Sequence, residues 1–348
     1  MTRVHQVTGA AGRHDAVTNQ LLAYSELLRG WGLDGGAHAA FIAPGASDRL
    51  KPLSELEPAP DDVVLLHYSG WLTGMEPILE LPQRKLLVYH NITPAKYFWS
   101  VHPVVAVVCE VGREKLPGLV AASRATAGVS AYNAAELRAA GARDPRVVPV
   151  LVDPARFAHD GAGGSPDAPL VLVVGRLAPH KRPDLVIRAF ALYQRLHAPD
   201  ARLVLAGEPQ HPPYRERLAQ LVEEVGARNV QLAGALENDA LTRAYSEASV
   251  LLSLSEHEGF CIPLVEAFHA GLPVIARPRG AMPEVGGDAV LWVDDTDDLA
   301  VVAELLHLAV TDADLRAELA RRGRQRAQEF SPERVGQAVR ELVDAALA

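Results

Sequence analysis

The chain has 348 residues, more than one hydrophobic core usually serves, so two domains are expected. With 49% hydrophobic and 22% charged residues it can fill two ordinary cores, while its net charge of -9 argues against a general nucleic-acid binder and weakens attraction to anionic lipid. Its two cysteines, Cys109 and Cys261, fall in different halves, which argues against a disulfide framework or a zinc site and suits a reducing cytoplasm.

Residues 1–7 lack the apolar core of a signal peptide, and no run of about 18 apolar residues suggests a membrane span. The expectation is a cytoplasmic protein, in contact with a membrane at most peripherally at its inner face. Abundant Ala and Arg suit a GC-rich bacterium. Residues 3–7 are predicted as a strand, 8–12 as a tight loop carrying Gly9 and Gly12, and 15–29 as a helix with Val17, Leu21, Tyr24 and Leu28 on one face. Such a loop permits close approach to a phosphate and equally serves plain turn chemistry. Strands follow at 37–43, 63–68, 86–90 and 127–130. Their alternation with helices indicates a doubly wound parallel sheet, whose ligands sit beyond the C-terminal strand ends. His90 holds such an end, as a packed or capping residue or as a ligand contact. Asn91 and Thr93 either bind hydroxyls or cap the segment that follows. Tyr97, Phe98 and Trp99 form an acceptor platform, a membrane-facing patch or core packing, and His67, Tyr68 and Trp71 pose the same choice. Ser130 and Asn133 read as helix caps.

The Gly- and Pro-containing stretch 161–166 cannot pack well and marks a boundary. A strand at 170–174 then leads into Gly175 and Arg176, with Lys181 before a helix marked by Leu185, Ile187, Phe190 and Leu196. Arg176 and Lys181 project beyond the strand end, where a guanidinium and an ammonium together neutralise a diphosphate, whereas Arg182 is read as solvated. Strands at 203–206, 230–233 and 250–253 complete a second sheet. Asp295 and Asp297 invite comparison with a metal-binding pair, but acidic residues at a helix start need no metal, and none is expected. Arg321, Arg322, Arg324 and Arg326 read as a solvated helix face, and Ser331 starts the last helix with Pro332 at its first position.

Residues 251–276 are the most informative. An apolar strand passes through a turn at Gly259 into a helix read as starting at Pro263, so the N–H groups of Phe260, Cys261 and Ile262 face outward with the positive end of the helix dipole behind them. That cup suits a phosphate, which Cys261 serves by its backbone and not its thiol. Glu258 before the turn and Glu266 on the helix bracket the cup and accept hydrogen bonds from hydroxyls. One phosphate with hydroxyls on both sides describes a nucleotide sugar.

Glu258-Gly-Phe, Glu266-Ala and Gly271-Leu-Pro-Val resemble the E-x7-E signature of retaining glycosyltransferases of the GT-B fold, family four, and Gly175-Arg176-Leu177 with Lys181 matches the same family. His90-Asn91-Ile92-Thr93-Pro94 is similar to a segment of its bacterial members in polysaccharide and antibiotic pathways. The resemblance implies an α/β, GT-B architecture: two Rossmann-like doubly wound domains facing across a cleft, spanning 1–149 and 150–330, with a helix at 331–348 crossing back. It implies that Glu258 contacts donor-sugar hydroxyls, that the amides of Gly259, Phe260, Cys261 and Ile262 with Arg176 and Lys181 hold the diphosphate beside Gly175, and that Glu266 holds the ribose. His90 is implied at the transferred sugar, Gly9 and Gly12 at the donor, and Asp15, Asn91, Thr93 and Tyr97 at the acceptor. The implied reaction moves a hexose from a nucleoside-diphosphate sugar to a hydroxyl of a glycan, a lipid-linked glycan or a small molecule, with no metal and no cofactor, no nucleic-acid partner, and a front-face mechanism. A sugar-nucleotide epimerase, a phosphorylase or a non-catalytic nucleotide-sugar-binding subunit uses the same frame.

Overall fold

The computed structural model describes residues 2–157, 164, 167–293 and 298–347. Of the sequence readings, the stretch 161–166 apart from Gly164, and the pair Asp295 and Asp297, lie outside the described residues. The chain divides into two units: one holds the residues up to Trp99, Pro103–Leu151 and the residues from Pro332 on, the other Ser100–His102 and Val152–Ser331.

The first unit is built on seven strands, β1 (Val4–Ala11), β2 (Asp34–Ile42), β3 (Leu50–Pro52), β4 (Val63–Tyr68), β5 (Arg84–Tyr89), β6 (Ala125–Gly128) and β7 (Arg146–Val147). They form one parallel sheet in the order β3-β2-β1-β4-β5-β6-β7. Helices α1 (Ala16–Gly30), α2 (Pro77–Glu80), α3 (Pro103–Ala122) and α4 (Ala131–Ala139) connect them. A parallel sheet covered on both faces needs apolar side chains on both, and every residue of β4 is buried. Val7, Leu66, Tyr68, Leu87 and Tyr89 share one core cluster. The C-terminal helix Pro332–Leu347 packs on β5 and β6, and Arg84 Nη1 donates to its Ala346 carbonyl at 2.7 Å.

The second unit repeats the design with six strands, β8 (Leu170–Val174), β9 (Arg202–Ala206), β10 (Val230–Gly234), β11 (Val250–Ser253), β12 (Val274–Ala276) and β13 (Val290–Trp292), ordered β10-β9-β8-β11-β12-β13 and parallel throughout. Its helices are α5 (Pro183–Leu196), α6 (Pro212–Glu224), α7 (Asn238–Glu247), α8 (Ile262–His269), α9 (Met282–Gly286), α10 (Leu299–Thr311) and α11 (Ala313–Ala327). Phe190 and Tyr193 of α5 and Leu306 of α10 bury against Leu203, Leu205 and Leu252. Val101 packs on this core, and its carbonyl accepts from His211 Nε2 at 2.6 Å.

In both sheets the strand order reverses at one place, between β1 and β4 and between β8 and β11. At such a reversal the two crossovers leave in opposite directions and open a crevice past the strand ends. Two sequence readings change here. The predicted loop at 8–12 is mostly strand, because β1 continues its pairing with β2 to Ala11. The short edge strands β3 and β7 escaped prediction, since Leu50-Lys-Pro and Arg146-Val carry no periodicity.

Candidate functional site

At the reversal in the second unit, the end of β8 is threaded by glycines. The Gly175 N–H donates to the Ala206 carbonyl at 2.9 Å and the Gly207 N–H to the Gly234 carbonyl at 2.7 Å. A Cβ on Gly207, whose φ is +158°, would run into the Gly175 carbonyl, so only glycine lets these strand ends come together. Arg176 leaves this junction exposed, and among the described residues it has no carboxylate partner.

A single turn, Pro179–Lys181, then sets Lys181 at the base of α5, with Nζ 2.6 Å from Glu258 Oε1. Burial pulls the Lys181 ammonium down, but the Glu258 carboxylate outweighs it and holds the ammonium charged, above its ordinary range. The neighbouring Arg182 is not solvated as read from the sequence. Its φ of +51° turns the chain into α5, and its guanidinium pairs with Asp184 at 3.0 Å and with Glu256, which also lies 3.8 Å from buried Arg277. The Glu256 N–H donates to the His180 carbonyl at 2.7 Å, tying the loop after β11 to the loop after β8.

Glu258 is buried and braced from below. Its carbonyl accepts from the Ala281 N–H at 2.9 Å, and Gly280, at φ +56°, passes so close that a Cβ would strike the Glu258 backbone. Helix α8 begins at Ile262, one residue earlier than read, with Pro263 second and Cys261 as a left-handed cap at φ +73°. No side chain caps this end, and among the described residues the N–H groups of Phe260, Cys261 and Ile262 donate to no protein acceptor. Burial pushes the Cys261 thiol above its ordinary range, so the position acts through its backbone. Phe260 is buried edge-on against Phe330 at 5.4 Å between centroids. On α8, Glu266 Oε2 accepts from the Tyr245 hydroxyl at 2.6 Å, and burial raises its carboxyl above the usual range despite that bond. Its Oε1 has no hydrogen bond among the described residues. Arg176, Lys181, Glu258 and Gly259 thus lie on the loops that follow β8 and β11, and Glu266 lies on α8, beside the strand-order reversal.

The arginines read as a solvated face divide. Arg321 and Arg322 pair with Glu318, whereas Arg326 donates to the Val285 and Glu284 carbonyls and fastens α11 to α9.

In the first unit His90 follows β5, and its N–H donates to the Tyr68 carbonyl at 2.8 Å. Its Nε2 lies 3.0 Å from His67 Nδ1, and burial lowers its pKa to about 3. Asn91, at φ +81°, spends its amide inside the protein, on Asn133 at 2.8 Å and on Glu136 at 3.2 Å. Glu136 also accepts from the Tyr89 hydroxyl and from Arg113, so a buried network pins the turn behind His90. Thr93 and Tyr97 are half-buried, and Lys96 Nζ lies over the Tyr97 ring. Asp15 caps α1, accepting from the Thr18 N–H and hydroxyl at 2.8 Å each. Gly12 donates its N–H to that same hydroxyl, and Gly9 lies inside β1 where a Cβ would meet Met75 Sδ at 2.9 Å. Within the protein, Gly9 lets β1 pass Met75, and Gly12 and Asp15 shape the start of α1. Ser130 caps α4 through the Asn133 N–H, while Asn133, read as a second cap, is buried.

Of the four non-glycine residues with positive φ among those described, Asn91, Arg182 and Cys261 each adjoin a predicted site residue. Such conformations cost about 1–3 kcal/mol each and persist where a site needs them. Sequence reasoning missed Tyr245, Gln6 and the role of His67. For Gln6 and His67 the signal was a polar residue in a strand buried on both faces, which needs a partner.

Residues 157–326, nearly all of the second unit, match the family described as Glycosyl transferases group 1. Among curated relatives, the D-inositol 3-phosphate glycosyltransferase of Mycolicibacterium gilvum is 35% identical over 136 residues, 38% of this chain and 30% of that protein. The protein of the same name from Acidothermus cellulolyticus is 26% identical over 337 residues, 83% of this chain and 74% of that one. Among solved structures, sucrose-phosphate synthase of Thermosynechococcus elongatus has a TM-score of 0.76 at 20% identity over 99% of this chain and 98% of that one. HepE of Anabaena, in complex with UDP and glucose, has a TM-score of 0.76 at 15% identity over 99% and 100%. The fold is the two-domain, Rossmann-like GT-B fold. Among the described residues, no helix is long and apolar enough to cross a membrane.

Proposed function

We propose that this protein is a retaining glycosyltransferase that moves a hexose from a nucleoside-diphosphate sugar to an acceptor hydroxyl of a glycan, a lipid-linked glycan or a small molecule. The observation that carries this reading is the convergence, at one strand-order reversal, of Arg176, the Lys181–Glu258 pair and the unclaimed N–H groups of α8. Two cations beside a helix N-terminus fit a diphosphate. Glu266 Oε1 fits a ribose hydroxyl, and Glu258 fits hydroxyls of the sugar. The relatives named for sugar transfer, and HepE with its UDP and glucose, support the donor class.

In this mechanism the bond from the anomeric carbon to the β-phosphate oxygen breaks, and the acceptor oxygen bonds to the same face. The acceptor proton passes to the departing phosphate. Arg176, Lys181 and the α8 amides stabilise the charge that builds on that phosphate, an effect worth several kcal/mol when such donors are fixed in advance. The reading assigns no step to a metal and places the protein in a bacterial cytoplasm. The test is incubation with a panel of nucleoside-diphosphate hexoses and acceptors, following nucleotide release and reading the product anomer by proton NMR. An inverted anomer refutes retention. Absence of nucleotide binding by thermal shift, where a ligand at a hundred times its Kd adds about 2.7 kcal/mol, refutes the donor site.

A further inference from the structure

His90 stands at the end of a chain of hydrogen bonds whose direction is set at its far end. On α1 the Ser25 hydroxyl donates its single proton to the Leu21 carbonyl at 3.2 Å. Ser25 Oγ must then accept from the group 2.7 Å on its other side, which makes that group the Gln6 amide nitrogen and turns the Gln6 carbonyl oxygen toward His67. That oxygen, 2.9 Å from His67 Nε2, can only accept, so His67 carries its proton on Nε2 and offers a lone pair at Nδ1. His90 Nε2, 3.0 Å from that lone pair, must donate. One proton remains on each neutral ring, and His90 Nδ1 is left as a bare acceptor. Among the described residues no protein group bonds it.

We propose that Ser25, Gln6 and His67 are positioning residues that hold His90 as its Nε2–H tautomer, so that it meets a ligand only by accepting a hydrogen bond at Nδ1. The group it takes is a hydroxyl donor. A phosphate oxygen, a ring oxygen or an ether is rejected, because two acceptors would face each other. Gln6, Ser25 and His67 are all buried. The two rings lie 5.2 Å apart between centroids, with 28° between their planes. Burial also pushes both rings far toward the neutral form, without which the relay would lose its direction. This inference rests on the reading that His90 contacts the transferred sugar. It adds that the contact selects for one donor hydroxyl, by the logic through which a site built around a substrate hydroxyl rejects its analogue without one.

The test begins with nitrogen-15 NMR of the histidine side chains in the whole protein, with the His90→Gln variant assigning the His90 signals. A pyridine-type Nδ1 and a pyrrole-type Nε2 support the relay, and a protonated Nδ1 overturns it whether or not the protein transfers sugar. Gln6→Leu removes the acceptor for His67 and should move the His90 signals toward a mixture of tautomers. Gln6→Glu keeps an acceptor there and should restore the native pattern. Ser25→Ala, which frees the Gln6 amide to turn over, is the second route should Gln6→Leu fail to fold. In kinetics, Gln6→Leu should lower kcat/KM for the native donor about tenfold, the scale of one hydrogen bond, with nucleoside-diphosphate affinity unchanged. A donor analogue with fluorine in place of the contacted hydroxyl should be equally poor with wild type and variant. If every deoxyfluoro donor distinguishes the two proteins as the native donor does, the relay sets no hydroxyl contact. A native tautomer with no transfer from any nucleotide sugar upholds the relay and refutes the glycosyl-transfer reading instead.

Discussion

Replacing Lys181 by Met isolates the centre of the proposed donor site. The ammonium sits 2.6 Å from Glu258 Oε1, and the two side chains are 21% and 8% exposed. Removing one partner of a buried pair leaves the other charged in a poor solvent, which costs about 3–5 kcal/mol. Because the lysine end of the pair reaches water, the low end applies, about 3 kcal/mol. For a unit of this size each kcal/mol lowers Tm by about 2–4 °C, so the second unit should melt about 6–12 °C earlier. Calorimetry on the whole chain follows this, since two units can unfold in separate transitions. The double variant Lys181→Met with Glu258→Gln removes the stranded charge and should recover most of the loss. A double variant no more stable than the single one would refute the reasoning, because the loss would then stem from packing and not charge. Activity is a separate readout: Lys181→Ala should reduce turnover at least about a hundredfold, and near-normal turnover would remove it from the mechanism.

Acid should weaken the fold through its histidines. His67, His90 and His180 all have folded-state pKa values depressed by burial below the ordinary 6.5, with His90 at about 3. Their neutral rings contribute stability that is fully present above about pH 6.5 and is lost as pH falls from there toward 3, by up to about 1.4 kcal/mol per pH unit for each ring. Urea midpoints measured at pH 8, 7, 6 and 5 should fall below 6.5, and a flat series would refute neutral burial. Gly280→Ala should weaken nucleotide binding in titration calorimetry by displacing the Glu258 backbone, and binding at wild-type strength would show that the loop tolerates the shift. Tyr245→Phe should cost about 1–3 kcal/mol by stranding Glu266 Oε2, while weakening nucleotide binding less than Glu266→Ala does. The reverse order would place the nucleotide contact on the tyrosine.

Much of the second unit was legible in the chain. The apolar runs at 170–174 and 250–253 became β8 and β11 with those bounds, because a strand buried on both faces needs an unbroken apolar run. Gly175, Lys181, Glu258 and Glu266 stood out in the sequence because a tight turn, a cation before a helix and carboxylates about a helix start are all local signals. Their assembly required the tertiary structure. Lys181 and Glu258 are 77 residues apart, and only the adjacency of β8 and β11 in the sheet brings them together. The same holds for Arg182 with Glu256, which turned a solvated base into a structural ion pair, and for the 61 residues between His67 and Gln6. The contacts of Gly9 with Met75 and of Gly12 with Thr18 were equally out of reach of the sequence, because both partners are set by packing. Local chemistry determined which residues are fit to bind a diphosphate and hydroxyls. Strand order alone decided which of them share a crevice, because that order depends on long-range pairing and no short stretch of sequence records it.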